Sequence, residues 1–224
     1  YDNKGLLYKS RKDYDIALEQ FDKAIACDSK NSDAYENKIS LLFDMGKYED
    51  AIDFGKKGLE KFGQSDDLFF YMAYSYEMLG DYKTAVEYYD KELKYSNYKS
   101  WWTFTNASYC KLMLKDWIGA IEYAQRSIKL HQNNVHPYNF VAFAALETDK
   151  LDLATEYNNK AFNLYDRPNY MSYYNYARIK HLEGDDAGAK QRLDKARELF
   201  EKDTENWQFD GFLNLCDELE RKLF

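Results

Sequence analysis

Alanine recurs at Ala17, Ala51, Ala85, Ala120, Ala154 and Ala189, in steps of 34, 34, 35, 34 and 35 residues. Six marks on one period restrict the fold severely. A unit of that size is a single supersecondary element, too small to bury an apolar face alone, so it must stack on copies of itself. Sixteen residues before each alanine stands an aromatic: Tyr1, Tyr35, Phe69, Phe104, Tyr138 and Tyr173. Between the two series runs a mostly small one, Gly5, Ile39, Ala73, Ser108, Ala142 and Ala177, as a close contact between two helices requires.

The local spacing is helical. Phe69, Met72, Ala73 and Tyr76 fall at i, i+3, i+4 and i+7, and Ala17, Phe21 and Ala24 at i, i+4 and i+7, each set on one face of a helix. The break inside a unit falls at Gly46, Gly80 or Gly184, where a left-handed residue closes a helix, and at Lys12, Lys115 or Asp149 in the other units. With only 2 Pro and 10 Gly against 22 Tyr, 14 Phe and 4 Trp, the chain has few breakers and much bulky apolar surface. Helix, tight turn and helix is the reading for units of about 1–31, 32–65, 66–100, 101–134, 135–169 and 170–203.

These marks resemble the tetratricopeptide repeat. Unit three shows the pattern in order as Phe69, Met72-Ala73, Tyr76, Gly80-Asp81-Tyr82, Ala85 and Tyr89; unit one offers Tyr1, Gly5, Tyr8, Asp13-Tyr14, Ala17, Phe21 and Ala24. The resemblance implies an all-α fold, a right-handed superhelical α-solenoid of six such repeats over 1–203. Residues 204–224 lack a seventh alanine mark but align Phe212, Leu215, Leu219 and Leu223, which predicts a capping helix over the last apolar surface. Some positions depart from the pattern. Ser29, Gly63, Asn97, Gln132 and Asp166 replace the closing Pro; Leu151 and Asp186 replace turn aromatics; Asn158 replaces a bulky residue; and extra residues near Ser100 and Asn169 lengthen two units. Tyr1 falls inside the first helix, so the native chain is expected to extend upstream or to have been trimmed.

The sequence holds no GxGxxG, GxxxxGK[ST], HExxH or GxSxG, and no catalytic, cofactor or metal site is expected. His131 and His136 have no third ligand nearby, and His181 is isolated. Cys27, Cys110 and Cys216 are scattered, which suggests reduced thiols and a cytoplasmic location. A net charge of -8 disfavours nucleic acid, including a 35-residue helical-repeat RNA reader that would need a basic face. The longest uncharged stretch, 130–146, is too short and polar to span a membrane. Asp66-Asp67 and Asp185-Asp186 read as helix-start charges.

Function is therefore expected from surface shape. In arrays that this chain resembles, the first helix of each unit lines a concave wall, which here places Asn3, Asn37, Tyr71, Asn106, Phe140 and Asn175 in one row. A primary amide both donates and accepts, so the asparagines suit either a bound peptide backbone or a neighbouring helix. Phe70, Tyr74, Trp102, Tyr109, Phe143 and Tyr174 stand beside the row, as side-chain anchors or as core. Asn139 and Arg178 complete the candidate set.

The Lys/Asn/Arg clamp by which relatives grip a terminal carboxylate is missing; Asp2 and Leu6, then Asn37, then Asp67 and Tyr71 stand in its place. Asp33, Glu36, Asp44, Asp67 and Glu77 predict an acidic N-terminal groove, and Arg178 and His181 mark the other end. The reading is a non-enzymatic scaffold that binds an extended protein segment or partner helix, basic or polar-neutral rather than an acidic tail. The alternative is the peptide-sensing portion of a larger regulator whose effector domain lies outside this chain.

Overall fold

The computed structural model describes residues 1–164, 169–203, 209 and 211–223. Asp166 and the start of the predicted 204–224 cap lie outside them. The described residues form thirteen helices: α1 (Asp2–Ser10), α2 (Tyr14–Cys27), α3 (Ser32–Asp44), α4 (Tyr48–Phe62), α5 (Asp66–Met78), α6 (Tyr82–Tyr95), α7 (Trp101–Met113), α8 (Trp117–Leu130), α9 (Val135–Leu146), α10 (Leu151–Leu164), α11 (Tyr170–Leu182), α12 (Asp186–Lys202) and α13 (Phe212–Leu223). Helices α1 to α12 alternate between first and second members of helical hairpins, and the fold is an all-α repeat solenoid.

Local chemistry sets the helix ends. Asn31, Ser65, Ser100, Asn134 and Asn169 each accept a backbone N–H from the first turn of the helix that follows, satisfying a donor that has no intrahelical partner. Pro137 sits in the first turn of α9, where a missing N–H costs nothing. Each hairpin turn carries one left-handed residue. Gly46, Gly80 and Gly184 have φ of 72°, 78° and 84°, and Lys12, Lys115 and Asp149 have φ of 63°, 59° and 55° in the same place. Those three side chains tolerate a strained backbone because the repeat geometry leaves no other way to reverse the chain.

The chain divides into two compact units, residues 1–114 and 115–224. In the first, Ala17, Ala51 and Ala85 are wholly buried, and Phe21, Ile39, Leu41, Met72 and Tyr89 fill the space around them. Gly5 shows why the small series is small, because a Cβ added there would stand 2.6 Å from Cδ1 of the buried Phe21 ring. A Gly5→Ala substitution is expected to destabilise the protein by about 1–3 kcal/mol, despite alanine's higher helix propensity. Gly55→Ala instead meets the Met72 side chain, whose thioether can adjust, and Cδ1 of Ile39, and should cost less. Urea unfolding of the two variants checks the order, and a stabilised Gly5→Ala protein would contradict the packing.

In residues 115–224 the equivalent alanines, Ala120, Ala154 and Ala189, are again wholly buried. Helix α9 is buried from Pro137 to Leu146 because α8, α10 and α11 all pack on it. Helix α13 turns Phe212, Cys216, Leu219 and Leu223 inward, with Leu215 half-buried at the margin. Arg197 of α12 holds it through Asp217 at 2.7 Å and Glu220 at 2.8 Å.

Candidate peptide groove on the first helices

Within residues 1–114 the first helices α1, α3 and α5 enclose a concavity of about 360 Å³. Its wall is built from Asp2, Asn3 and Leu6 of α1, Asp33, Glu36, Asn37 and Ser40 of α3, and Asp67 and Tyr71 of α5. Helical spacing explains the selection. Asp33 and Asn37, and likewise Asp67 and Tyr71, are four residues apart and share one stripe, and Glu36 and Ser40 form the adjoining one. Four of the nine lining residues are carboxylates and none is basic.

Burial pushes the Glu36 carboxyl above its ordinary value, and the charges of Asp67, Asp33 and Asp66 push the same way against a lowering hydrogen bond from Ser65. Asp67 is likewise raised, first by burial and then by Asp66. The wall therefore favours a cation that would relieve this repulsion. Asn37 donates to Asp2 across the α1–α3 boundary at 3.1 Å, and the Ser65 hydroxyl donates to Glu36 at 2.9 Å. Both contacts fix carboxylates in the wall.

Beyond the acidic part, α3 and α5 carry aromatics. Phe43 stacks on Tyr74 with centroids 4.3 Å apart, and Phe70 meets Tyr71 edge-on at 5.3 Å. Phe70, Tyr71 and Tyr74 are half-buried, and burial drives the Tyr74 phenol up to about 12. Phe43 did not figure among the sequence candidates. Its spacing from Glu36 and Ser40, at i+7 and i+3, is the signal that puts it on the same face.

Two expected members of the acidic groove lie elsewhere. Glu77 is buried and accepts the Tyr89 hydroxyl at 2.7 Å, with Cys110 Sγ at 3.5 Å from the same oxygen, because its position on α5 turns it toward α6 and α7. Asp44 is exposed and pairs with Lys9 at 2.9 Å. Asn106 points into this interior network and donates to Tyr89 at 3.3 Å. Tyr109 is buried edge-on to Tyr82, whereas Trp102 is 39% exposed.

In residues 115–224 the candidate side chains face other protein groups. Asn139 is buried, donating to Asn169 at 2.8 Å and accepting from the Ser172 hydroxyl at 2.9 Å, and Asn175 donates to the Asn139 backbone carbonyl at 3.1 Å. Phe140, Phe143 and Tyr174 are buried. Arg178 is half-buried, bonded to Glu147 at 2.7 Å, with its guanidinium 5.3 Å from the Phe143 ring centre. Of the asparagine row, Asn37 and Asn175 thus bond neighbouring helices and Asn106 another core side chain, and Asn139, outside the row, bonds the start of α11. His181 Nδ1 lies 2.7 Å from Asp186, a pairing within its own hairpin. Among the described residues, no His, Cys, Asp and Glu are grouped to hold a metal ion, and no helix is long and apolar enough to cross a membrane.

A helical-repeat array with a polar wall on its first helices is the class of protein these features define. Residues 3–66 match the family model described as tetratricopeptide repeat, and the fold of the described residues is that of solved tetratricopeptide-repeat structures. Similar solved structures include PilF of Pseudomonas aeruginosa, 16% identical, with 99% of this chain and 96% of that chain covered at a TM-score of 0.76. PilW, a widely conserved type IV pilus biogenesis factor, is 17% identical over 91% of this chain and 94% of its own, with a TM-score of 0.73. YrrB, a tetratricopeptide-repeat protein with an unusual peptide-binding site, is 20% identical over 91% and 99%, with a TM-score of 0.71. At these identities the likeness is one of fold.

Proposed function

We propose that the chain is a non-enzymatic interaction scaffold that takes an extended, basic segment of a partner protein against α1, α3 and α5. The observation that carries this reading is the wall of Asp2, Asp33, Glu36 and Asp67 around one concavity with no cation among its lining residues; the Lys9 ammonium, which reaches Ser40, is paired with Asp44. Burial first, and then the neighbouring carboxylates, raise the Glu36 and Asp67 carboxyls, so an entering lysine or arginine side chain would stabilise their charged forms, and the half-buried Phe70 and Tyr74 can carry its aliphatic stem. YrrB, similar in fold, has a peptide-binding site, which is in keeping with a binding role.

Calorimetry with two extended peptides of equal length, one lysine-rich and one glutamate-rich, tests the proposal. The basic peptide is expected to bind, with affinity falling as salt rises, and the acidic one not to bind. Glu36→Gln combined with Asp67→Asn should weaken the basic peptide about tenfold or more, because each charge contact is worth about 1 kcal/mol or somewhat more. Equal binding of both peptides, or an affinity untouched by the double substitution, would sink the reading.

A further inference from the structure

In residues 115–224 the first helices α9 and α11 carry Phe143, Tyr170 and Tyr174, and the chain's own C-terminal part covers them. The Phe209 ring centre lies 5.5 Å from that of Phe143, and the Phe209 backbone N–H donates to the Tyr170 hydroxyl at 2.8 Å. Phe212 packs edge-on to Tyr170 at 4.7 Å and to Tyr174 at 5.5 Å. An aromatic side chain seated among aromatics, with its backbone amide read by a side-chain hydroxyl, is how a groove holds a foreign peptide.

The two phenylalanines are anchored differently. Phe212 belongs to α13, which Arg197 ties to α12 through Asp217 and Glu220. Phe209 lies outside any helix, before the left-handed Gly211; its carbonyl accepts the Phe212 N–H at the start of α13 at 3.2 Å, while its ring and N–H face Phe143 and Tyr170. Next to Tyr174 on α11, Asn175 is wholly buried, and its Oδ1 has no hydrogen-bond partner among the described residues. The present arrangement leaves that acceptor unused. Buried acceptors are ordinarily satisfied.

We infer that this cleft is a docking site for an aromatic residue on an extended partner segment, occupied in cis by Phe209 until such a segment replaces it. The inference stands apart from the acidic groove of residues 1–114, and neither depends on the other. A tethered competitor acts at an effective concentration on the order of millimolar, so the intact chain binds such a segment weakly and loss of the Phe209 ring frees the site.

The probe is a fluorescein-labelled peptide copying residues 203–210, with a control in which its phenylalanine is alanine. A Phe209→Ala protein that keeps its helical circular dichroism should bind the probe at least tenfold more tightly than the unaltered protein and should ignore the control. Equal affinities of the two proteins, or equal binding of probe and control, would overturn the inference. Hydrogen exchange on the unaltered protein gives a reading independent of that variant. With excess unlabelled peptide the Phe209 amide should exchange several-fold faster while the α13 amides stay protected. Unchanged protection at Phe209, or loss of protection throughout α13, would also overturn it.

Discussion

Replacing Tyr89 with phenylalanine is expected to destabilise the protein by about 2–3 kcal/mol, although it removes a single oxygen. Tyr89 is wholly buried, and its hydroxyl donates to Glu77 at 2.7 Å while accepting from Asn106 at 3.3 Å. Without it, a buried carboxylate and a buried amide each lose a hydrogen bond, and one to a charged group is worth more than an ordinary hydrogen bond. The Tyr89 proton is held firmly: burial pushes the phenol well above its ordinary value, and the Glu77 charge adds to the effect. Urea unfolding of Tyr89→Phe, Glu77→Gln and the double variant measures the coupling. The double variant should lose much less than the sum of the single losses, and additive losses would contradict a shared network.

The second large effect depends on pH. Glu92 of α6 is 5% exposed, and its Oε2 is buried without a hydrogen-bond partner among the described residues. Burial first, then the charges of Asp66 and Asp67, raise its carboxyl from 4.5 to about 7, against lowering by the nearby Thr103 hydroxyl and by the Lys99 charge. The folded chain therefore keeps this proton where the unfolded chain has released it. Stability contributed by the protonated form is present below about pH 4.5 and is lost as pH rises through about 7. The loss at pH 8 is on the order of 3 kcal/mol. Glu92→Gln should accordingly be more stable than the unaltered protein at pH 8 and nearly equal to it near pH 4.5, as read from unfolding midpoints. A difference that does not change with pH would contradict the assignment.

Much of the fold is legible in the sequence because the repeat leaves so few choices. Once Ala17, Ala51 and their successors set the register, a chain reversal is required at Lys12, Lys115 and Asp149 as firmly as at the glycines, and all six turns have positive φ. The same register places the first-helix row, and the concavity of Asp2, Glu36, Asn37 and Asp67 follows from it. Which way each row member turns is set by its neighbours. Glu77 and Asp67 share α5, yet the tyrosine at position 89 draws one into the interior and the other stays on the wall. Asn175 is drawn to the Asn139 carbonyl, which no spacing announces. Least legible is the contact of Phe209 with Phe143 and Tyr170, a non-periodic meeting of distant segments that covers a wall expected to be open.

The central claim, that the first helices of residues 1–114 form a wall for a basic guest, is tested most directly by mapping a bound lysine-rich peptide by NMR on isotope-labelled protein. The largest shift changes should fall on the stripe of α1, α3 and α5 that carries Asp2, Glu36, Asn37, Asp67 and Tyr71. Changes concentrated on α2, α4 and α6, or spread evenly over exposed acidic residues, would contradict it.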